Sequence, residues 1–441
     1  MHKGRILLIQ PPLPDTLMAG VDESIRKHFV PLGLGYLASS LEQAGYEPEV
    51  VDMQARHLSI EDLQFEGGSY VAAGITCVTN TYPSALRVAK AIKRISPETK
   101  VVLGGPHVTF CAETVLRESS DVDAVVRGEG EYSFVELLDS FTTESLNKVR
   151  GISFKDGHRV VSTPPRPVES DLDLLPPPAR QFFPQQLYSF NAIVASRGCP
   201  GKCIFCAAGA MSQHRFRVRR PESVIEELEQ LQGSKEIVFY DNTFLGGPAG
   251  LDLLSRIRQA NLNITWSTEL RADHASDSLL HLLRECGCLG VQFGVESGSD
   301  MVLRKIGKGL SRRQIASAVR RARSAGLKVV CSFCFGHPFD TQETLQETVQ
   351  FMQELRTYDV DCVASIVTPF PGTPIYEHAE KFGVQIHHRD WEKYTLYQPV
   401  MSTRFLTAEE IGRLFMSTML ESLPSLEDIE SRGQKSIGGA S

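Results

Sequence analysis

The strongest constraint on how this chain folds is a regular alternation of strand-like and helix-like segments. In the first third, five apolar runs are typical of buried strands: RILLIQPP, EPEVVDM, YVAAGITCVTN, KVVLGGPHV and DAVVRGEGE. Helical patterns such as LGLGYLASSLEQAG and SALRVAKAIKRIS lie between them. Strands joined through single helices run parallel, so this part predicts a doubly wound α/β sheet whose ligands lie at the carboxyl ends of the strands.

The alternation resumes at residue 191 and then repeats six times. The strand patterns are AIVASRG, EIVFYDNTF, ITWSTELRAD, GVQFGVESGS, KVVCSFCFGH and DCVASIVTPFPGT. Six βα units are fewer than the eight that close a TIM barrel. We therefore expect a partial, splayed (βα)6 barrel of the TIM type, with its chemistry at the carboxyl ends of its strands.

Changes in this pattern give the expected domain boundaries. Residues 1–150 form a Rossmann-like domain, and residues 151–190, which contain STPPRPVESDLDLLPPPARQFFP, form a proline-rich linker. The partial barrel occupies residues 191–383. A C-terminal extension, residues 384–441, ends in the polar stretch SRGQKSIGGAS, which we expect to be disordered.

Composition argues against several classes of protein. The 441 residues carry a formal net charge of −7, without the basic surplus that is typical of nucleic-acid-binding proteins. No stretch reaches the roughly 18 apolar residues of a membrane span, and the first apolar run is too short for a signal peptide. We expect a cytoplasmic protein.

Its ten cysteines are too few and too scattered for a disulfide scaffold, so a cysteine cluster indicates metal or redox chemistry.

Three of these cysteines lie close together in SRGCPGKCIFCAAG. Cys199, Cys203 and Cys206 have the spacing C-x3-C-x2-C and follow the first strand of the predicted barrel. Thiolates on a short loop can hold an iron–sulfur cluster. Three of them hold three corners of a four-iron cluster and leave one iron free to bind another ligand. A structural zinc site needs four protein ligands, and His214 is the nearby candidate for the fourth.

This arrangement resembles the radical S-adenosylmethionine (SAM) superfamily, whose signature has an aromatic residue before the last cysteine, as Phe205 is here. The resemblance extends over residues 191–382. It implies that a [4Fe-4S] cluster chelates SAM through its amino and carboxylate groups. It also implies that electron transfer cleaves SAM to a 5′-deoxyadenosyl radical. The electron is expected from an external reductant of the flavodoxin or ferredoxin type.

The strand ends of the barrel supply the expected contacts with SAM. YDNTF, GVESGSD and the turn GHPFDTQET resemble segments of that family, although Asp340 stands where glutamate is more usual. SAM needs hydrogen-bond acceptors for its ribose and amine, which suits Glu296, and a cation for its carboxylate, which suits Arg271 or Lys308. Structural ion pairs at the barrel rim are the alternative interpretation. The full set of predicted residues around the cluster is Phe205, Tyr240 as a catalytic candidate, Asp241, Asn242, Ser267, Arg271, Glu296, Ser297 and Lys308.

The first domain resembles the cobalamin-binding domain that precedes the barrel in one class of radical SAM enzymes. PLGLGYLASSLEQAGYEPEVVD, GGPH and RGEGE carry the resemblance, in that order, over about residues 1–142. A generic nucleotide-binding sheet is the alternative, but no G-x-G-x-x-G follows the first strand. The cobalamin motif D-x-H-x-x-G is also absent, so we expect cobalamin without its own base or a protein histidine on the cobalt. The predicted contacts are Pro11, Thr76, Val78, Thr79, Gly104, Gly105, His107, Glu129 and Gly130.

The resemblance implies methyl transfer to an unactivated carbon, in which the 5′-deoxyadenosyl radical activates the substrate and methylcobalamin donates the methyl group. One alternative is a rearrangement, cyclisation or ring contraction without methyl transfer. A methylthiotransferase would need further cysteines in the first domain, which has only Cys77 and Cys111. A cobalamin sensor without activity is opposed by the intact cysteine triad. The substrate, a small molecule or natural product, is not readable from the sequence.

The remaining cysteines and the aromatic C-terminal segment have open roles. Cys331 and Cys334 point to opposite sides of one predicted strand, so we do not expect them to hold one metal. Buried free thiols are the expectation for both, as for Cys286 and Cys288. Residues 387–397 either cap the site or pack against the open edge of the barrel, and we expect packing. His387 and His388 are available there as alternative bases to Tyr240.

Overall fold

Two parallel sheets organise the chain. The computed structural model describes residues 3–14, 28–143 and 145–422. The polar stretch 431–441, predicted to be disordered, lies outside these ranges. The α/β class and the order of a doubly wound domain followed by a partial barrel are confirmed.

The first sheet contains seven strands in the order β2-β1-β3-β4-β5-β6-β7, and β1 to β5 are parallel. Helices α1 and α4 pack on one face and α2 and α3 on the other, each over its own apolar core. This is a doubly wound topology. The strands are β1 Arg5–Gln10, β2 Glu47–Asp52, β3 Ala72–Thr76, β4 Lys100–Gly104, β5 Ala124–Val126, β6 Ile152–Asp156 and β7 Arg159–Ser162, and the helices are α1 Leu32–Gln43, α2 Tyr82–Ile95, α3 Pro106–Glu118 and α4 Glu131–Thr143.

The last two strands differ from the prediction that residues 151–190 form a linker. β6 pairs antiparallel with β5, and β7 pairs antiparallel with β6, so residues 152–162 extend the first sheet. The physical reason is a short alternating pattern, ISFKD and RVVS, around a turn at Gly157, which has φ +57°. From residue 163 onwards the prolines dominate, and this segment crosses to the second sheet with only single turns of 3-10 helix at Leu172–Leu174, Arg180–Phe182 and Gln185–Leu187.

The second sheet has six parallel strands in the order β15-β14-β13-β12-β11-β8. Its edge strands β8 and β15 are not paired with each other in the described part of the chain, so the barrel stays open. The strands of this half are β8 Asn191–Ile193, β9 Ser196–Arg197, β10 Arg217–Val218, β11 Ile237–Phe239, β12 Trp266–Leu270, β13 Cys288–Glu296, β14 Lys328–Phe335, β15 Asp361–Ile366, β16 Gln385–Ile386 and β17 Met401–Ser402.

The barrel helices begin where local side chains satisfy free backbone N–H groups. Ser276 caps α8, and capping boxes with Gln314 and Thr344 open α10 and α11. The helices are α5 Ala208–Met211, α6 Pro221–Glu229, α7 Gly247–Ala260, α8 Asp277–Glu285, α9 Asp300–Lys305, α10 Arg312–Ser324, α11 Gln342–Arg356, α12 Pro374–Glu377 and α13 Ala408–Ser422. In the described ranges, no helix combines the length and apolar character needed to cross a membrane.

Candidate functional site

A cavity of about 490 Å³ lies between the two domains. Its first wall is the carboxyl edge of the first sheet together with α1, and its second wall is the barrel around β9 and β10. Apolar side chains dominate the first wall, including Leu34, Leu37, Val102 and Phe134, and polar residues meet at the boundary with the barrel. The predicted residues that line this cavity are Thr76, Gly104, Gly105, Glu129, Gly130, Tyr240 and Asn242.

The two glycines of GGPH have different roles. No atom lies within 4 Å of a methyl group placed on Gly104, so its side faces open space in the cavity. A methyl group on Gly105 would lie 2.5 Å from the Cys77 carbonyl oxygen, and its φ of +106° also favours glycine. Gly104 therefore leaves room for a ligand, whereas Gly105 allows two backbone segments to pack.

The structure places four predicted cobalamin contacts away from this cavity. His107 is 2% exposed, its Nδ1 lies 3.3 Å from Thr79 Oγ1, and its ring packs against Tyr82 and Trp391. Burial lowers the pKa of His107 to about 4. Val78 is 46% exposed, and Pro11 uses its carbonyl to accept a hydrogen bond from Gln54. The burial of His107 was not predicted, because its partner Trp391 lies far along the chain.

The cysteine loop connects β9 to β10, which pair antiparallel, so both of its ends are fixed at one short ribbon. A methyl group on Gly201 would lie 3.3 Å from the Cys199 sulfur, 3.8 Å from the Cys203 sulfur and 3.5 Å from Arg271 Nη1. Gly201 thus lies beside two of the thiols and one guanidinium. The loop is tied to the barrel by the Ile204 amide, which donates to the Ile306 carbonyl at 3.0 Å.

The donor set fits an iron–sulfur cluster better than a single metal ion. Among the described residues, no group of three His, Cys, Asp or Glu side chains converges on one point that could hold an ion. A four-iron cluster holds its irons at separate corners, so its thiolates need not converge. Burial raises the pKa of Cys203 to about 11, although Lys308 opposes this, so cluster binding would release protons.

A buried ion pair lies next to the cysteine loop. Lys308 Nζ donates to Glu296 Oε1 at 2.7 Å, and both residues are buried. Burial alone raises the pKa of Glu296, but Lys308 reverses this and holds it below the ordinary value. Gly294 makes room for the pair, because a methyl group there would lie 2.6 Å from Glu296 Oε1 and 2.8 Å from Lys308 Nζ. Glu296 has φ +68°, a strained conformation for a residue with a side chain.

Arg271 is close to the same place but already engaged. It forms two hydrogen bonds with Asp273, both 3.0 Å long, and it donates to the Lys308 carbonyl at 3.1 Å. Phe205 packs its ring 5.1 Å from that of His337, which is fully buried and has no hydrogen-bond partner in the described structure for either ring nitrogen. Burial lowers the pKa of His337 to about 4, so this imidazole is neutral.

Three predicted SAM contacts have other partners. Asp241 accepts from the Ala195 amide at 3.2 Å and from the Ser196 hydroxyl, and burial raises its pKa to about 6. Ser267 donates to Glu236 at 2.8 Å near the amino ends of β11 and β12. Ser297 lies 3.2 Å from the Thr348 hydroxyl and accepts from the Ser299 amide. These three side chains make hydrogen bonds that connect loops and strands. The sequence did not predict these partners, because a motif at a strand end does not specify which way each polar side chain points.

Asp340, the departure from the family turn, also has a structural role. Its carboxylate accepts hydrogen bonds from the amides of Gly336 and His337 at 3.1 and 2.8 Å, and from the Thr344 hydroxyl at 3.1 Å. Asp340, whose side chain is shorter than that of the more usual glutamate, therefore stabilises the turn after β14.

The C-terminal aromatic segment bridges both domains. Trp391 packs on His107, and Glu392 pairs with Arg87 of α2 at 3.0 Å. The Ile366 amide at the end of β15 donates to the Leu396 carbonyl at 2.7 Å. Packing at the open barrel edge was expected, and the contact with the first domain was not.

A second cavity of about 500 Å³ adjoins the first and was not foreseen from the sequence. It lies above the carboxyl ends of β1 to β3, with Gln10, Asp52 and Gln54 among its polar residues. Tyr240 lines both cavities, and burial raises the pKa of its phenol above the usual range. The phenol therefore stays protonated and can donate a hydrogen bond where the two cavities meet.

Two family profiles match the chain. The radical SAM superfamily profile matches residues 193–352, and the B12 binding domain profile matches residues 19–138. An uncharacterized methyltransferase of Pyrococcus horikoshii is 36% identical over 430 residues, which cover 94% of this chain and 91% of that protein.

Two more distant proteins are also similar to the chain. An anaerobic magnesium-protoporphyrin IX monomethyl ester cyclase of Rubrivivax gelatinosus is 26% identical over 92% of this chain and 78% of its own length. The radical SAM methyltransferase TsrM from Kitasatospora setae, solved with cobalamin and a [4Fe-4S] cluster, superposes with a TM-score of 0.71 at 20% identity. That match covers 94% of this chain and 82% of TsrM, and it shows a common fold.

Proposed function

The chain belongs to the radical SAM proteins that carry a B12-binding domain, and we propose that it is a methyltransferase that uses a [4Fe-4S] cluster, SAM and cobalamin to methylate an unactivated carbon. The observation that carries the proposal is the cavity between the domains, because it connects the open edge of the B12-binding sheet to the ribbon that bears the cysteine loop. When bound, the cluster with SAM supplies a hydrogen-abstracting radical, and cobalamin supplies the methyl group.

The first wall of the cavity suits a bulky, partly apolar cofactor. Gly104 and Gly128 leave open space, and Leu37, Val102 and Phe134 offer apolar contacts. None of the described residues that line this cavity is a histidine. Cobalamin with its base displaced and without a protein histidine on the cobalt stays a prediction, which the visible spectrum of the loaded protein tests.

The barrel end suits a small zwitterion beside the cluster. Cys199, Cys203 and Cys206 would hold three irons, and Glu296 and Lys308 offer opposite charges for the amine and carboxylate of SAM. Arg271 lies beside Gly201 of the loop, and Asp273 holds it there through two hydrogen bonds. The residues of this chain would thereby hold the two cofactors beside each other.

Labelled SAM tests the proposal. The protein is purified without oxygen, loaded with iron, sulfide and hydroxocobalamin, and incubated with a flavodoxin or ferredoxin reductant and methyl-deuterated SAM. The small-molecule panel includes polycyclic lipids and tetrapyrroles. Methyl transfer predicts a product that gains one deuterated methyl group. A product without the label, formed with 5′-deoxyadenosine, would instead support the rearrangement or cyclisation alternative, which the cyclase relative makes the second candidate.

A further inference from the structure

The ribbon that fixes the cysteine loop contains an unfavourable pairing of charges. Arg197 of β9 and Arg217 of β10 lie directly opposite each other in the antiparallel register. Like charges at such a cross-strand position destabilise the pair of strands. The ribbon therefore depends on counter-charges from elsewhere in the molecule.

These counter-charges come from the B12-binding domain. Glu129 accepts hydrogen bonds from Arg217 at 2.9 and 2.6 Å, and Glu131 pairs with Arg197 at 2.7 Å. The Arg197 guanidinium also lies 4.7 Å from the centre of the Tyr36 ring on α1. Arg217 and Glu131 are nearly buried, with side-chain exposures of 5% and 8%. Two glutamates of the RGEGE segment thus bridge the domains through the ribbon.

All five of these residues also line the cavity between the domains. Glu129 and Glu131 flank Gly130, which lines it as well. A ligand in the cavity therefore contacts the same side chains that fix the base of the cysteine loop. Ion pairs with low solvent exposure add little net stability, because the loss of hydration offsets the attraction between the charges.

From this arrangement, which rests on the proposed function, we propose that the Glu129–Arg217 and Glu131–Arg197 pairs couple occupancy of the cavity by a corrinoid to the geometry of the cysteine loop. Glu131 and Arg197 are positioning residues that act through the ribbon. Because coupling between two sites is reciprocal, the cluster must change corrinoid affinity and the corrinoid must change the loop.

The test measures this coupling directly in the full chain. The dissociation constant for hydroxocobalamin is determined with and without the reconstituted cluster, and hydrogen–deuterium exchange of residues 199–206 in cluster-loaded protein is followed with and without hydroxocobalamin. We expect the cluster to tighten hydroxocobalamin binding about tenfold and the corrinoid to slow exchange of the loop. In the double variant Glu129→Gln/Glu131→Gln both effects should vanish, and in Glu131→Gln alone both should weaken, while the iron content is retained. Arg197→Lys keeps the charge but loses the planar stack on Tyr36, so it should retain part of the coupling.

Glu227→Gln provides a matched control. Glu227 is a buried carboxylate between two arginines, Arg180 and Arg219, but it does not line the cavity. The Glu227→Gln variant should show the same tenfold effect of the cluster on hydroxocobalamin binding as the wild type. The inference is overturned if the wild type binds hydroxocobalamin without coupling, if the double variant keeps the tenfold ratio, or if Glu227→Gln loses it equally. If the wild type binds no hydroxocobalamin at all, the proposed function fails, and this inference fails with it.

Discussion

The two ends of the cleft between the domains differ in chemistry. The end formed by the B12-binding domain is apolar and open, with glycines that leave space beside Leu37 and Phe134. The barrel end continues past the cavity to the three cysteines of the loop, Arg271 and the buried Glu296–Lys308 pair, none of which lines the cavity. Side chains there are packed tightly enough that Gly294 must lack one. We therefore propose that the first end selects its ligand by shape and that the second selects its ligand by charge.

The largest effect should come from the cysteine loop. Cys203→Ala leaves two thiols, so the bound iron should fall from about four atoms per chain to nearly none, and product formation should be lost. Hydroxocobalamin should still bind at the other end, although more weakly. Iron analysis and a hydroxocobalamin titration measure both. Cys111→Ala, a cysteine on α3 outside the loop, should keep its iron, and loss of iron there would contradict the assignment.

Removing the buried lysine should damage the barrel end next most. Lys308→Met leaves the Glu296 carboxylate buried without its partner, which should lower the free energy of unfolding by about 3–5 kcal/mol. It should also weaken SAM binding by about 2–5 kcal/mol. Chemical denaturation and equilibrium dialysis test the two effects. Lys393→Met removes one partner of an exposed pair with Asp390 and should cost less than about 1 kcal/mol. Equal losses in both variants would refute the buried-pair account.

The barrel end should also depend on pH through His337. Burial lowers its folded pKa to about 4, against 6.5 when exposed, so its contribution to stability is complete above pH 6.5 and is lost as the pH falls towards 4. Between pH 6.5 and pH 4, the wild type should therefore lose about 3 kcal/mol of its free energy of unfolding through His337. In His337→Leu this loss should be absent, as measured by denaturation of the cluster-free protein. Burial raises the pKa of Asp340 to about 7, so this carboxyl adds stability as the pH falls below 7. It does so equally in the wild type and in His337→Leu. An unchanged pH profile in the variant would show that His337 is not buried as described.

The smallest effect should separate the two glycines of the apolar end. Gly104→Val fills open space, so it should weaken hydroxocobalamin binding about tenfold without lowering the melting temperature. Gly105→Ala should leave hydroxocobalamin binding unchanged and lower the free energy of unfolding by about 1–3 kcal/mol, because its methyl group would contact the Cys77 carbonyl. Calorimetry and a hydroxocobalamin titration compare them. The same pattern in both variants would contradict the division of roles.

The sequence predicts the local features of this fold well and the long-range contacts poorly. The βα alternation, the parallel sheets and the C-x3-C-x2-C loop follow from neighbouring residues. The hairpin β6–β7 escaped notice because its short strands adjoin a proline-rich stretch. The packing of His107 against Trp391 was not predicted, because the two residues are distant in sequence. The Glu131–Arg197 pair could not be predicted from the sequence either, because its two residues belong to different domains and are far apart in the chain.

The most direct test of the two-ended cleft is the metal content of one preparation. The chain is loaded without oxygen with iron, sulfide and hydroxocobalamin, desalted, and analysed for iron and cobalt together with its visible spectrum. The account predicts about four irons and about one cobalt per chain, with a spectrum of cobalamin whose base is displaced. Four irons without retained cobalt would contradict it, because the apolar end would then not be a corrinoid site.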